Sequence, residues 1–87
     1  MDIESKKKRL YYIAHHRGTK EADIIIGRFT NFILKNITDA QLNDFNDFLQ
    51  IADDKLINWY FKRDHPTPKD SNPFITTFIN WHHDNKN

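Results

Sequence analysis

The run from residue 19 to about 36 does most to limit what this chain can fold into. Ala22, Ile25, Ile26, Phe29 and Ile33 recur at the spacing of one helical stripe. Ile24, Phe32 and Leu34 widen that stripe. A helix apolar over so much of its circumference is buried on more than one side, so the pattern predicts a central helix around which shorter pieces gather. Ile24, Ile25 and Ile26 in succession would also suit a strand. The length of the run and its flanks decide for a helix. Gly27 falls inside it, where a glycine costs about 1 kcal/mol relative to alanine. Close approach of a neighbouring helix is the expected compensation.

Two glycines and three prolines in 87 residues are too few for the turns of an all-β fold. The other segments also read as helices. Residues 5–16 form a first one, capped by Ser5, with Leu10, Ile13 and Ala14 inward. Thr38 and Gln41 make a capping box, and a third helix runs from there to about Gln50 with Leu42, Phe45, Phe48 and Leu49 inward. Asp53 or Asp54 caps a fourth, Lys55 to about Lys62, which buries Leu56, Trp59 and Tyr60. Residues 62–72 are a loop kept extended by Pro66 and Pro68. Asn72 and Pro73 start the last helix as N-cap and first residue, and its stripe is Phe74, Ile75, Phe78 and Ile79. The tail from His82 to Asn87 is polar and is expected to fray. The expectation is a compact all-α bundle of five helices: one domain over residues 1–87, with its core at about 6–82. Aromatics at 14% make rings a large part of that core. Trp59 and Trp81 belong either to the core and its edge or to an interface.

Little in the chain suggests catalysis. It has no P-loop, no dinucleotide-binding glycine fingerprint and no HExxH. The absence of cysteine excludes disulfides, thiolate metal sites and a thiol nucleophile. Asp44 and Asp47 read as a solvated face. Of the five histidines, His15 and His16 are adjacent, as are His82 and His83, and neighbours on a helix point about 100° apart. His65 lies in the proline loop. Neither a catalytic residue nor a metal site is expected. No apolar run reaches the roughly 20 residues that span a bilayer. The acidic start, Met1-Asp2-Ile3-Glu4, argues against a secretory signal or an uncleaved presequence, so a cytoplasmic protein is expected.

Net charge is only +1, but it is unevenly spread. Residues 1–20 hold six Lys or Arg against two acids, and residues 39–54 hold five Asp and no cation. The basic first helix, Lys6 to Arg9 with Tyr11 and Tyr12, allows a reading as a small nucleic-acid-binding bundle. The acidic middle segment argues against it.

Arg17-Gly18-Thr19-Lys20-Glu21-Ala22-Asp23 brings a cation, a glycine and an anion within five residues, ahead of the most apolar run. Gly18 is a natural break between two helices. Arg17 then falls at a helix C-terminus and Glu21 in the first turn of the next helix, each where the helix dipole favours its charge. Two readings stand: a well-made helical corner, or an exposed surface where a fork-shaped donor and a carboxylate meet a partner.

Lys8-Arg9-Leu10-Tyr11-Tyr12, the corner just quoted and Gly27-Arg28-Phe29 together resemble the succinate dehydrogenase assembly factors, the SdhE proteins of bacteria and their mitochondrial relatives. The family signature R-G-x-x-E is matched by Arg17, Gly18 and Glu21. Asp54-Lys55-Leu56-Ile57-Asn58-Trp59 is similar to its D-x-L-x-N-W segment, and the likeness covers about residues 6–82. Thr19 and Ala22 depart from the larger apolar residues usual after the glycine and the glutamate. The resemblance implies a small helical bundle that is not an enzyme. It implies an assembly factor that binds the flavoprotein subunit of succinate dehydrogenase, or of fumarate reductase, and promotes covalent attachment of FAD. FAD would be carried by the partner and not held stably here. The place of action would be the cytoplasm, or the mitochondrial matrix in a eukaryote. By carry-over the partner surface is Arg17, Gly18 and Glu21, with Lys8, Arg9 and Asp23 beside them. A monomer is expected, with no nucleic acid or membrane as partner.

Overall fold

The computed structural model describes residues 2–81. Among them are five helices: α1 (Ile3–His15), α2 (Lys20–Leu34), α3 (Asp39–Leu49), α4 (Asp53–Tyr60) and α5 (Pro73–Asn80). They form the all-α bundle that the spacing predicts. The Cα radius of gyration is 12.5 Å, close to the roughly 12 Å of one compact chain of this length. No helix among the described residues is long and apolar enough to cross a membrane. The expectations for the tail and for His82 and His83 lie outside the described residues.

Most helix starts follow local chemistry. Thr19 Oγ1 accepts from Ala22 N–H at 3.2 Å at the head of α2. The capping box of α3 is present, and its reach-back arm from Thr38 N–H to Gln41 Oε1 spans 3.0 Å. Asn72 Oδ1 accepts from Phe74 N–H at 2.8 Å, while its Nδ2 donates to the Asp44 carbonyl at 2.7 Å and so ties the start of α5 to α3. Two starts differ from expectation. Ser5 is not the cap of α1: Asp2 is, and Ser5 donates its N–H to Asp2 Oδ1 at 2.8 Å. That bond holds the Asp2 carboxyl below the usual carboxylate range. Helix α4 begins at Asp53, so neither Asp53 nor Asp54 caps it. The cap position is Ala52, which offers no side-chain bond.

The core is a cluster of rings around α2. Phe29 is fully buried and meets Phe45, Phe48, Phe78 and Trp81 at centroid distances of 6.2, 5.5, 4.9 and 5.5 Å. Trp59 is buried in this core, and Trp81 lies half-buried at its edge. Gly27 repays its helical cost as expected. A Cβ there would stand 2.7 Å from the His15 ring, so the missing side chain lets α1 settle onto α2. The apolar stripe of α2 is narrower than its composition suggests. Ile24 and Phe32 are 42% and 51% exposed, because the neighbouring helices leave the Ile24–Arg28–Phe32 line uncovered.

Candidate functional site

The loop between α1 and α2 is four residues, His16 followed by three of bend, Arg17 to Thr19. Gly18 takes φ +116°, a conformation that side chains disfavour. Among the described residues nothing beyond its chain neighbours lies within 4 Å of where its Cβ would stand, so the glycine is needed for its backbone and not for internal space. The residue faces outward.

Arg17 is where the corner departs most from expectation. Its side chain is only 7% exposed, and its fork is spent inside the chain. Nε donates to Asp53 Oδ1 at 2.6 Å, Nη1 to the Leu49 carbonyl at 2.5 Å and Nη2 to the Ile51 carbonyl at 2.9 Å. The cation does serve a helix C-terminus, but that of α3. The Leu49 carbonyl is among the last four of α3, which have no partner within their own helix. Three of the five guanidinium N–H donors of Arg17, the residue expected to donate to another protein, thus go to oxygens of α3, α4 and the link between them. Asp23 is likewise turned inward: its Oδ1 accepts the Arg17 backbone N–H at 2.6 Å.

Glu21 stands exposed in the first turn of α2, at the positive end of the helix dipole. Its carboxylate has no hydrogen-bond or ion-pair partner among the described residues. Ile24, one turn further on, continues that open surface. Lys8 and Arg9 lie about two turns before the end of α1, roughly 10 Å along its axis. Being adjacent on a helix, they diverge. Lys8 borders a shallow apolar recess with Lys7, Tyr11 and Leu34, whereas Arg9 borders a groove between α1 and α3 with Leu10, Leu42 and Asn43. Lys6 pairs with Asp39 at 3.4 Å. The basic run thus splits among separate faces.

Two features went unread in the sequence. Asp53 looked like a helix cap and is the ionic partner of Arg17. Tyr12 and His16 stack at 4.1 Å and 18°, on the exposed side of α1 next to the corner. Their i, i+4 spacing is the signal that could have revealed the second feature. No local signal marks the first. Among the described residues no group of three His, Asp or Glu is placed to hold a metal ion.

Comparison with known proteins assigns the chain to a family. The family model described as "Flavinator of succinate dehydrogenase" matches residues 8–82. A mitochondrial succinate dehydrogenase assembly factor 2 of Dictyostelium discoideum is 36% identical over 62 residues, 71% of this chain and 44% of that protein. The FAD assembly factor SdhE of Acetobacter pasteurianus is also 36% identical over 62 residues, 71% of this chain and 57% of its own length. The chain spans about half the length of these curated relatives, and no solved structure matches it. The match over nearly all of the helical domain, with Arg17, Gly18 and Glu21 in the corner it contains, means that the chain belongs to the flavinator of succinate dehydrogenase family.

Proposed function

We propose that this protein is an assembly factor that binds the flavoprotein subunit of succinate dehydrogenase and promotes its covalent flavinylation. The observation that carries the reading is the family match over residues 8–82. The free carboxylate of Glu21 beside an outward-facing Gly18 supplies a contact surface of matching chemistry. The protein acts as a binder and not as a catalyst. It prefers one arrangement of the flavoprotein and populates it by its differential affinity, and the covalent bond forms within the partner. Gly18 lets a partner backbone come close, and Glu21 accepts from partner donors. Lys8 and Arg9 reach the partner from two sides of α1, while Arg17 and Asp23 hold the corner from within.

FAD stays with the partner, because a single outward glycine offers no glycine-rich cradle for its phosphates. The fumarate reductase flavoprotein is a second candidate client. The protein works as a monomer in the cytoplasm, or in the matrix if its source is eukaryotic, and the named relatives are bacterial and mitochondrial. No observation favours nucleic acid as a partner: Lys6 is paired with Asp39, and Lys8 and Arg9 point apart.

The test is co-expression with the cognate flavoprotein, reading covalent flavin by fluorescence in a denaturing gel. Fluorescence rises with the intact chain and falls towards the level without it for Glu21→Ala and Gly18→Arg, with helical circular dichroism unchanged for the glutamate variant. Loss of one buried interfacial contact of this type costs about 2 kcal/mol, roughly thirty-fold in affinity. Equal fluorescence with and without the chain sinks the reading.

A further inference from the structure

The corner is held from one side by a single residue. Arg17 carries four hydrogen bonds to four places: its backbone N–H to Asp23, and its guanidinium to Asp53, Leu49 and Ile51. Gly18 has no side chain, and among the described residues nothing beyond its chain neighbours packs where one would be. Without the guanidinium bonds, only short-range bonds to Thr19 and Asp23 would order residues 17–19. Among the guanidinium's partners, Asp53 alone is a side chain and alone carries charge. It belongs to α4, 36 residues along the chain, is 26% exposed, and offers no cap to its own helix.

We propose that Asp53 is a positioning residue for the partner-facing corner, acting through Arg17 to fix the backbone on which Gly18 and Glu21 are presented. Its functional consequence rests on the flavoprotein-binding reading above. The physical reason is directional. Two backbone carbonyls accept from the ends of the fork, but only the carboxylate neutralises it and accepts at Nε. A neutral amide in its place leaves a nearly buried cation uncompensated, and the fork then gains by turning towards water. Turning out withdraws all three guanidinium bonds together and frees the loop. The side-chain caps at the starts of α1, α2, α3 and α5 are untouched.

Asp53→Asn preserves shape and removes charge, and Asp53→Glu restores charge at a longer reach. Each is compared with the wild type by residue-resolved amide exchange in the isolated chain and by titration against the flavoprotein. Asp53→Asn is expected to speed exchange at the Arg17 amide and its Nε–H at least tenfold, with protection in the middle of α2 and α3 unchanged. Affinity for the flavoprotein falls about tenfold and recovers in part with Asp53→Glu. In the Glu21→Ala background Asp53→Asn weakens binding by clearly less than tenfold, because part of the clamp's effect passes through Glu21 and only the part that presents Gly18 remains.

Exchange that quickens uniformly, with unchanged affinity, would make Asp53 a general stabiliser of the fold and overturn the proposal. Strictly additive losses in the double variant would do the same. Should Asp53→Asn fail to fold, Arg17→Lys keeps the charge and loses the fork, and loosening confined to residues 17–19 is the expected result. A wild-type chain that binds no flavoprotein overturns the functional reading, and the role of Asp53 in binding with it. Wild-type binding with undiminished affinity of Asp53→Asn overturns the positioning role alone.

Discussion

Replacing Gly27 by alanine tests the seating of α1 on α2 with one methyl group. An ideal Cβ at Gly27 lies 2.7 Å from Cε1 and 2.8 Å from Nδ1 of His15. Unstrained contacts of this kind sit at about 3.5–4.0 Å, so the ring must retreat by roughly 1 Å. Two effects oppose each other. Alanine relieves the helical cost of glycine by about 1 kcal/mol. Forcing a methyl into a filled space costs about 1–3 kcal/mol. His15 is poorly placed to yield, because its ring lies 4.1 Å from that of Tyr11 and its Nε2 is bonded to Asn31 Oδ1 at 3.3 Å. The steric term therefore wins, and Gly27→Ala is expected to destabilise the fold by about 1 kcal/mol. With His15→Ala in place the clash is gone, and the same substitution stabilises by about 1 kcal/mol. The coupling between the two sites is thus about 2 kcal/mol. Urea unfolding of the four proteins, followed by circular dichroism, measures it, and each 1 kcal/mol also moves the melting temperature by about 4–8 °C. If Gly27→Ala stabilises equally in both backgrounds, the imidazole does not rest on the glycine and the account of the α1–α2 contact is wrong.

Phe29→Ala removes the ring at the centre of the aromatic cluster, which is fully buried. It should cost about 3–5 kcal/mol, enough to unfold much of a domain this small at room temperature by circular dichroism. Thr30 is also fully buried, and its hydroxyl has no hydrogen-bond partner among the described residues. Thr30→Val should raise the urea midpoint by the equivalent of about 1 kcal/mol, and a lowered midpoint would mean that the hydroxyl is satisfied. Asp70 accepts from the Thr67 backbone N–H and hydroxyl and faces Lys55, and the backbone bond does most to hold its carboxyl below the usual range. A depressed folded-state value means that its stabilisation is complete above the unfolded carboxylate pKa and is lost as pH falls through the folded one. The Thr67 amide resonance should therefore move as pH drops below about 4, and Asp70→Asn should abolish that movement.

Much of the candidate site was legible in the sequence. The break at Gly18 and the exposed Glu21 follow from neighbours within a turn, whereas Lys8 and Arg9, read as one surface, border different recesses. The destination of Arg17 was not legible, because its acceptors lie 32, 34 and 36 residues away and two of them are backbone carbonyls with no residue signature. Asp53 was misread for the same reason: an acid ahead of a helix looks like a cap whatever it bonds.

The sequence by itself determined the number and type of elements and most of their starts, since caps such as Thr19, Thr38 with Gln41, and Asn72 with Pro73 act on backbone groups two or three residues away. It also carried the motif by which the family is known. The tertiary structure alone decided which faces are covered. Periodicity puts Ile24 and Phe32 beside the core stripe, but only the placement of the other helices leaves them in solvent. It also decided that Arg17 holds the corner from within while Glu21 faces outward. Local bonds can be read along a chain. The choice between spending a charge inside and offering it outside depends on which distant oxygens the fold brings within 3 Å, as it does for all three guanidinium bonds of Arg17.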